Sequence, residues 1–218
     1  PGYLHYDTPY LLICDNLLDF SHLSYVHAAT LGGSTAIALA RPTVEKVDAS
    51  GQRGIKVTRR VHDVPPPPFY QRFRPFDTHL DRWFIYEFLL PATLLMHSGG
   101  RPTGLPESDT ANTVRLHSCQ TLTPETETTT HYFFQQSHPR GQGDDTVRQT
   151  IYDALVQAFN EDRDMITSQH RNLAPDALAH MVPLHFDSAL LQFRRLLAEA
   201  CASEAAAPPP IPTMETTP

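Results

Sequence analysis

The sequence is short of several things that would fix its class at once. It has three cysteines in 218 residues, Cys14, Cys119 and Cys201, too few and too scattered for a disulfide framework or a zinc knuckle. A reducing, cytoplasmic setting is the expectation that follows. No apolar run approaches the roughly 18 residues needed to cross a bilayer. Basic residues are outnumbered, with 17 Lys and Arg against 24 Asp and Glu and a formal charge of −7. That balance argues against nucleic acid or a membrane surface as a partner. The opening Pro1-Gly2-Tyr3-Leu4-His5-Tyr6 has no methionine, basic segment or apolar core of a secretion signal. It reads as a chain entered midway, with a preceding domain expected to be missing from this sequence.

What is present suits one sizeable soluble domain: 40% hydrophobic and 19% charged residues over a length that can bury a core. From Leu11 to about Thr30, apolar residues alternate with Asp15, Asn16, Asp19, His22 and His27 as on a two-faced helix, which Gly32-Gly33 would end. Thr35–Val47 and Gly54–Val61, joined by the turn 48–51, read as a β-hairpin. Pro65–Pro68 reads as a rigid loop. Further strands are expected at Asp81–Leu90, Thr113–Leu122 and Thr126–Gln136, with the Gly-, Pro-, Ser- and Asp-rich Ser98–Asn112 as a loop. Helices are expected from about Asp145 to Leu173 and from Ser188 to Ala205. The Pro-rich residues 206–218 look like a disordered tail after a single domain at 1–205. The order predicts an α+β fold, a curved antiparallel sheet wrapped against a long C-terminal helix.

The chemistry concentrates in Asp15-Asn16-Leu17-Leu18-Asp19-Phe20-Ser21-His22-Leu23-Ser24-Tyr25-Val26-His27. Two neutral imidazoles suit a borderline metal such as Fe(II). A carboxylate from elsewhere would complete a facial triad and leave positions open. Spacing alone is weak evidence among 12 histidines, and His180 and His185 share it, although Pro183 lies between them. Residues five apart on a regular α-helix also point about 140° from one another. A shared ion therefore requires a local distortion between His22 and His27, a π-bulge or a 3₁₀ turn. For the carboxylate, Glu161, Asp162 and Asp164 all stand on one predicted helix, and the residues alone leave the choice open.

The string D-N-L-L-D-F-S-H-L-S-Y-V-H resembles the iron-binding helix of Rieske-type non-heme iron oxygenases, especially the vanillate and dicamba O-demethylase group. The family pattern N-x-x-D-x-x-H-x-x-x-x-H is met by Asn16, Asp19, His22 and His27. Leu122–Glu127, continuing through Thr130–Phe134, resembles a second signature, and Phe159-Asn160-Glu161-Asp162 a third. The resemblance implies a mononuclear Fe(II) held by His22, His27 and Asp162. It implies that Asp19 carries electrons from a neighbouring subunit's Rieske [2Fe–2S] cluster and that Asn16 helps to order the site. A ferredoxin or flavin reductase would supply the electrons, O2 would be co-substrate, and the full-length protein would form a homotrimer. The two Cys and two His of a Rieske centre are not in this sequence, so the cluster is expected on a domain or chain not included here.

The implied reaction is hydroxylation or O-demethylation of an aromatic compound, with an aromatic acid as the expected substrate. Thr93, His117, Gln120, His131 and Trp83 are candidate substrate contacts on the sheet, and Arg72, Arg74 or Arg82 a candidate partner for a substrate carboxylate. Two other classes of function fit the same residues: a metal-dependent hydrolase on the His/His/Asp set, and a helix-grip ligand-binding domain without chemistry.

Overall fold

A computed structural model describes residues 1–49, 51–139, 144–173, 182, 184 and 186–206. His180, His185, Pro183 and all but the first residue of the expected tail lie outside the described residues.

Seven strands form one antiparallel sheet: β1 (Gly2–Tyr6), β2 (Thr43–Ala49), β3 (Gln52–Val64), β4 (Leu80–Leu89), β5 (Thr93–Pro102), β6 (Val114–Pro124) and β7 (Thr130–Ser137). Their order is β1-β7-β6-β5-β4-β3-β2. Each strand from β2 to β7 therefore lies beside the next in sequence, and β1 joins at the far side of β7. The helices are α1 (Tyr10–Leu18), α2 (Thr35–Leu39), α3 (Pro68–Gln71), α4 (Asp145–Asn172) and α5 (Ser188–Ala206). The expected α+β fold, with the antiparallel sheet packed against C-terminal helices, is what the chain adopts.

The two-residue period of the strands sorts their side chains onto two faces. Leu80, Arg82, Phe84, Tyr86 and Phe88 of β4 turn inward and are nearly inaccessible. Three aromatic contacts of two phenylalanines join helix to sheet. Phe159 of α4 meets Phe134 at 4.8 Å and Tyr132 at 5.3 Å, and Phe193 of α5 meets Phe88 at 4.5 Å. Each buried Phe is worth about 1.5–3 kcal/mol by the apolar area it removes from water. These contacts set the distance of α4 from the sheet, and with it the position of everything α4 carries inward.

Several local expectations are corrected. Thr35–Leu39 is not strand but the short helix α2, because the Ser34 side chain accepts from the Ile37 N–H at 3.3 Å and caps it. Pro68–Gln71 is a helical turn with proline in the first turn, where a missing N–H costs nothing. Ser98–Pro102 is not loop but the second half of β5. Its glycines answer to packing: a Cβ on Gly99 would lie 2.3 Å from the Trp83 ring, and one on Gly100 2.8 Å from the Tyr70 ring. Strand β7 begins at Thr130, after a turn in which the Glu125 N–H reaches the Thr129 carbonyl. Strand β1 was not anticipated at all.

Candidate metal centre and adjoining cavity

The helix expected over Leu11–Thr30 is broken in the middle. Helix α1 stops at Leu18, and Asp19 leaves the helical conformation at φ −96°, ψ 92°. Its carboxylate then accepts from the Ser21 N–H at 2.8 Å and caps a 3₁₀ turn at Phe20–Ser24. The chain continues in turns, where the His27 carbonyl accepts from the N–H groups of Thr30 at 3.1 Å and Gly32 at 2.9 Å. The departure from α-helix thus starts before His22, earlier than expected. It removes the objection to five-residue spacing: the two imidazoles meet edge to face with centroids 5.1 Å apart.

The third group comes from α4. Ile151, Ala154, Leu155, Ala158, Phe159, Asp162 and Ile166 are its buried residues and repeat at helical spacing. Asp162 therefore occupies a core position, only 4% exposed, and a carboxylate there needs polar partners. It has three. Asn16 Nδ2 donates to Oδ1 at 3.2 Å, His27 Nε2 lies 2.9 Å from the same oxygen, and His22 Nε2 lies 3.5 Å from it. Asp164, the competitor two residues on, is exposed and near Arg163.

His22, His27 and Asp162 each offer one ligand atom, all within 4.8 Å of one another. They form the one such group of three or more His, Cys, Asp or Glu among the described residues. The remaining nitrogens are also held. His22 Nδ1 meets the main-chain carbonyl of Asp19. His27 Nδ1 lies 2.9 Å from Glu161 Oε2, which also accepts from Thr30 at 2.8 Å, while Gln157 reaches the other oxygen at 3.2 Å. An Nδ1–H engaged this way leaves Nε2 as the lone-pair donor, the usual outer support of a metal-binding imidazole. Donor type, burial and mutual distance all fit a divalent transition metal.

The two imidazoles titrate in opposite directions. Burial dominates at His22 and lowers its pKa despite the nearby Asp162. Burial also pulls His27 down, but its bonds to Asp162 and Glu161 together carry it net above the ordinary value.

Beside this group lies a cavity with mainly apolar walls, among them Leu94, Met96, Leu116, Phe84 and Phe159. His22, His27, Asp162, Asn16, Arg82, Ser98, Gln120 and Gln136 are its polar members, together with the phenol of Tyr70. Of the five candidate substrate contacts, only Gln120 lines it. Its Oε1 accepts from Tyr132 at 2.7 Å. Thr93, His117, His131 and Trp83 do not, and the reason is parity. They stand at odd positions of β5, β6, β7 and β4, where the inward residues are even-numbered, such as Leu94, Leu116, Tyr132 and Phe84. His117 instead stacks on His97 at 4.8 Å, His131 bonds Tyr3 at 2.8 Å, and Trp83 packs under Arg101. Arg72 is exposed and Arg74 is bound to Ala111 and Asn112, so of the three candidate arginines Arg82 alone reaches the cavity. Sequence reasoning raised Glu161 only as a rival ligand. Its part in holding His27, and that of Thr30, lay in non-local contacts that no spacing signals.

Known proteins of similar sequence and structure point the same way. The toluene-4-sulfonate monooxygenase system iron-sulfur subunit of Comamonas testosteroni is 38% identical over 94% of this chain and 59% of its own length. A vanillate O-demethylase oxygenase subunit from Pseudomonas sp. (strain HR199 / DSM 7063) is 28% identical over 93% of this chain and 58% of its own. The crystal structure of dicamba monooxygenase bound to 3,6-dichlorosalicylic acid superposes with a TM-score of 0.80 at 26% identity, covering 94% of this chain and 59% of that one. The chain thus spans a little under three fifths of the curated relatives it matches. Residues 6–203 match the vanillate O-demethylase oxygenase C-terminal domain, and the chain belongs to that family.

Proposed function

We propose that this chain is the catalytic domain of an aromatic-compound oxygenase, with a mononuclear Fe(II) held by His22, His27 and Asp162. The observation that carries the reading is the convergence of these three donors, two buried and His22 half-buried, on a cavity that is otherwise mostly apolar. Two imidazoles and one carboxylate are the donor set of non-heme iron oxygenases. The relatives named above are a monooxygenase-system subunit and an O-demethylase subunit. When bound, ferrous iron supplies the redox chemistry by which oxygen from O2 enters the substrate, with electrons delivered from a Rieske [2Fe–2S] cluster on a neighbouring subunit.

The residues of this chain do the rest. Asn16 holds the Asp162 carboxylate in place, and Glu161 with Thr30 and Gln157 fixes the His27 ring. Leu94, Met96, Leu116 and Phe84 exclude water and present a surface on which a flat ring packs. Asp19 lies on the side of His22 that faces a surface groove between α1, α4 and α5, which is where we place electron entry. Its contact with His22 runs through the main-chain carbonyl, while the carboxylate caps the turn. A ferredoxin or flavin reductase upstream, a homotrimer of the full-length protein and a cytoplasmic setting complete the reading. Among the described residues no helix is long and apolar enough to cross a membrane.

The test is metal content after anaerobic Fe(II) reconstitution, for the chain and for its His22→Ala/Asp162→Ala variant. About one iron per chain that the variant loses supports the ligand set. Equal iron in both, or none in either, overturns it.

A further inference from the structure

We infer that Arg82 is the anion-recognising residue of the cavity, and that the ring bound there carries a carboxylate or a sulfonate. This rests on the reading of the cavity as the substrate site and narrows the substrate class within it.

Arg82 lies on the inward face of β4 and is 4% exposed. Its Nη1 donates to the Gly32 carbonyl at 2.9 Å, and its buried Nε has no partner. The guanidinium lies between the rings of Tyr70, 4.9 Å from its centroid, and Phe84, 5.1 Å from its centroid. Among the described residues no carboxylate faces it: burial and Tyr70 are what act on its charge. A buried cation without a counter-charge is costly, and an oxyanion is the group that relieves it, through charge-assisted bonds to a planar fork.

The position joins this cation to the candidate metal centre. Arg82 holds Gly32, whose N–H in turn bonds the His27 carbonyl, and both Arg82 and His27 line the same cavity. Most of the remaining wall is apolar, so a ligand needs a ring for the walls and an anion for Arg82. Arg59, also buried with unpartnered nitrogens, does not line the cavity and bonds the Ile37 carbonyl instead. The rival explanation of Arg82 is purely structural, a clamp on the loop at Gly32. The two differ in one respect: a clamp does not distinguish a charged ligand from a neutral one of the same shape.

Calorimetric titration of the 218-residue chain uses that difference. The probes are 4-methylbenzenesulfonate against 4-methylbenzenesulfonamide, and 4-methoxybenzoate against 4-methoxybenzamide. The chain is expected to bind at least one anion on the order of tenfold or more tighter than its neutral counterpart, and the tighter arm tells sulfonate from carboxylate. Arg82→Met should erase that preference while leaving the neutral affinity within about threefold, and Arg82→Lys should keep part of it. Retained neutral binding shows that the cavity is still folded. If Arg82→Met does not fold, the chain and Arg82→Lys decide: an undiminished preference in the Lys variant counts against the fork. Neutral binding equal to anion binding in the unaltered chain, or an unchanged preference in Arg82→Met, overturns the inference and leaves the cavity reading standing. Absence of binding by all four probes overturns both.

Discussion

Histidines lie on both sides of the sheet, in opposite surroundings. His22 and His27 are withdrawn from water and converge on one carboxylate oxygen. His97 and His117 stack face to face at 4.8 Å on the outer surface, and burial, followed by the proximity of His117 and Arg115, lowers the His97 pKa. His131, also outside, shares Tyr3 and Glu125. Residue type is the same throughout. A carboxylate placed at a core position of α4 separates a set able to hold a metal from sets that decorate a surface.

The difference can be broken most directly at Asp162. Asp162→Ala removes one of three donors, and bound iron should fall from about one per chain to a small fraction, read by metal analysis after desalting. Phe159→Ala leaves every donor in place but withdraws the aromatic contacts that set α4 against β7. It should cost about 3–5 kcal/mol in denaturant unfolding, with iron stoichiometry retained in whatever fraction remains folded. Glu161→Gln leaves all three donors in place, alters the support of the His27 ring, and should weaken iron binding about 10–100-fold.

That third variant also carries a pH signature. Loading needs a neutral imidazole, and His27 keeps its proton to higher pH than an ordinary histidine. Iron affinity should therefore fall as pH drops, starting at a higher pH than an ordinary histidine would set. Losing the Glu161 charge lowers the His27 pKa and moves the fall to lower pH, measurable as binding isotherms over a pH series. At the small end, His117→Ala on the outer face should change stability by no more than about 0.5 kcal/mol and iron content not at all.

How far the sequence revealed this depends on which interactions are local. Strands β3, β4 and β6 and helices α4 and α5 announce themselves by periodicity. So does the amphipathic character of the segment around His22, but not its break, because the decisive bond joins the Asp19 side chain to the Ser21 N–H inside a stretch that reads as helix. The second half of β5 was hidden for a different reason. Ser98, Gly99 and Gly100 look like loop residues until the rings of Trp83 and Tyr70, brought in by the sheet, are seen to leave no room for a side chain. His22, His27 and Asp162 were named through family resemblance, since spacing left Glu161 and Asp164 open. Thr93, His117, His131 and Trp83 fall outside the cavity because strand parity depends on register, which those isolated segments did not fix.

One feature of α4 has the character of a gear. Phe159 and Asp162 stand three residues apart, one meshed with the aromatics of the sheet and the other with the imidazoles. A residue inserted between them would turn the carboxylate by about 100° relative to the ring, so the aromatic tooth could stay engaged only by disengaging the acidic one. Substitution can alter either tooth, but a change of length in that short interval breaks the coupling between them.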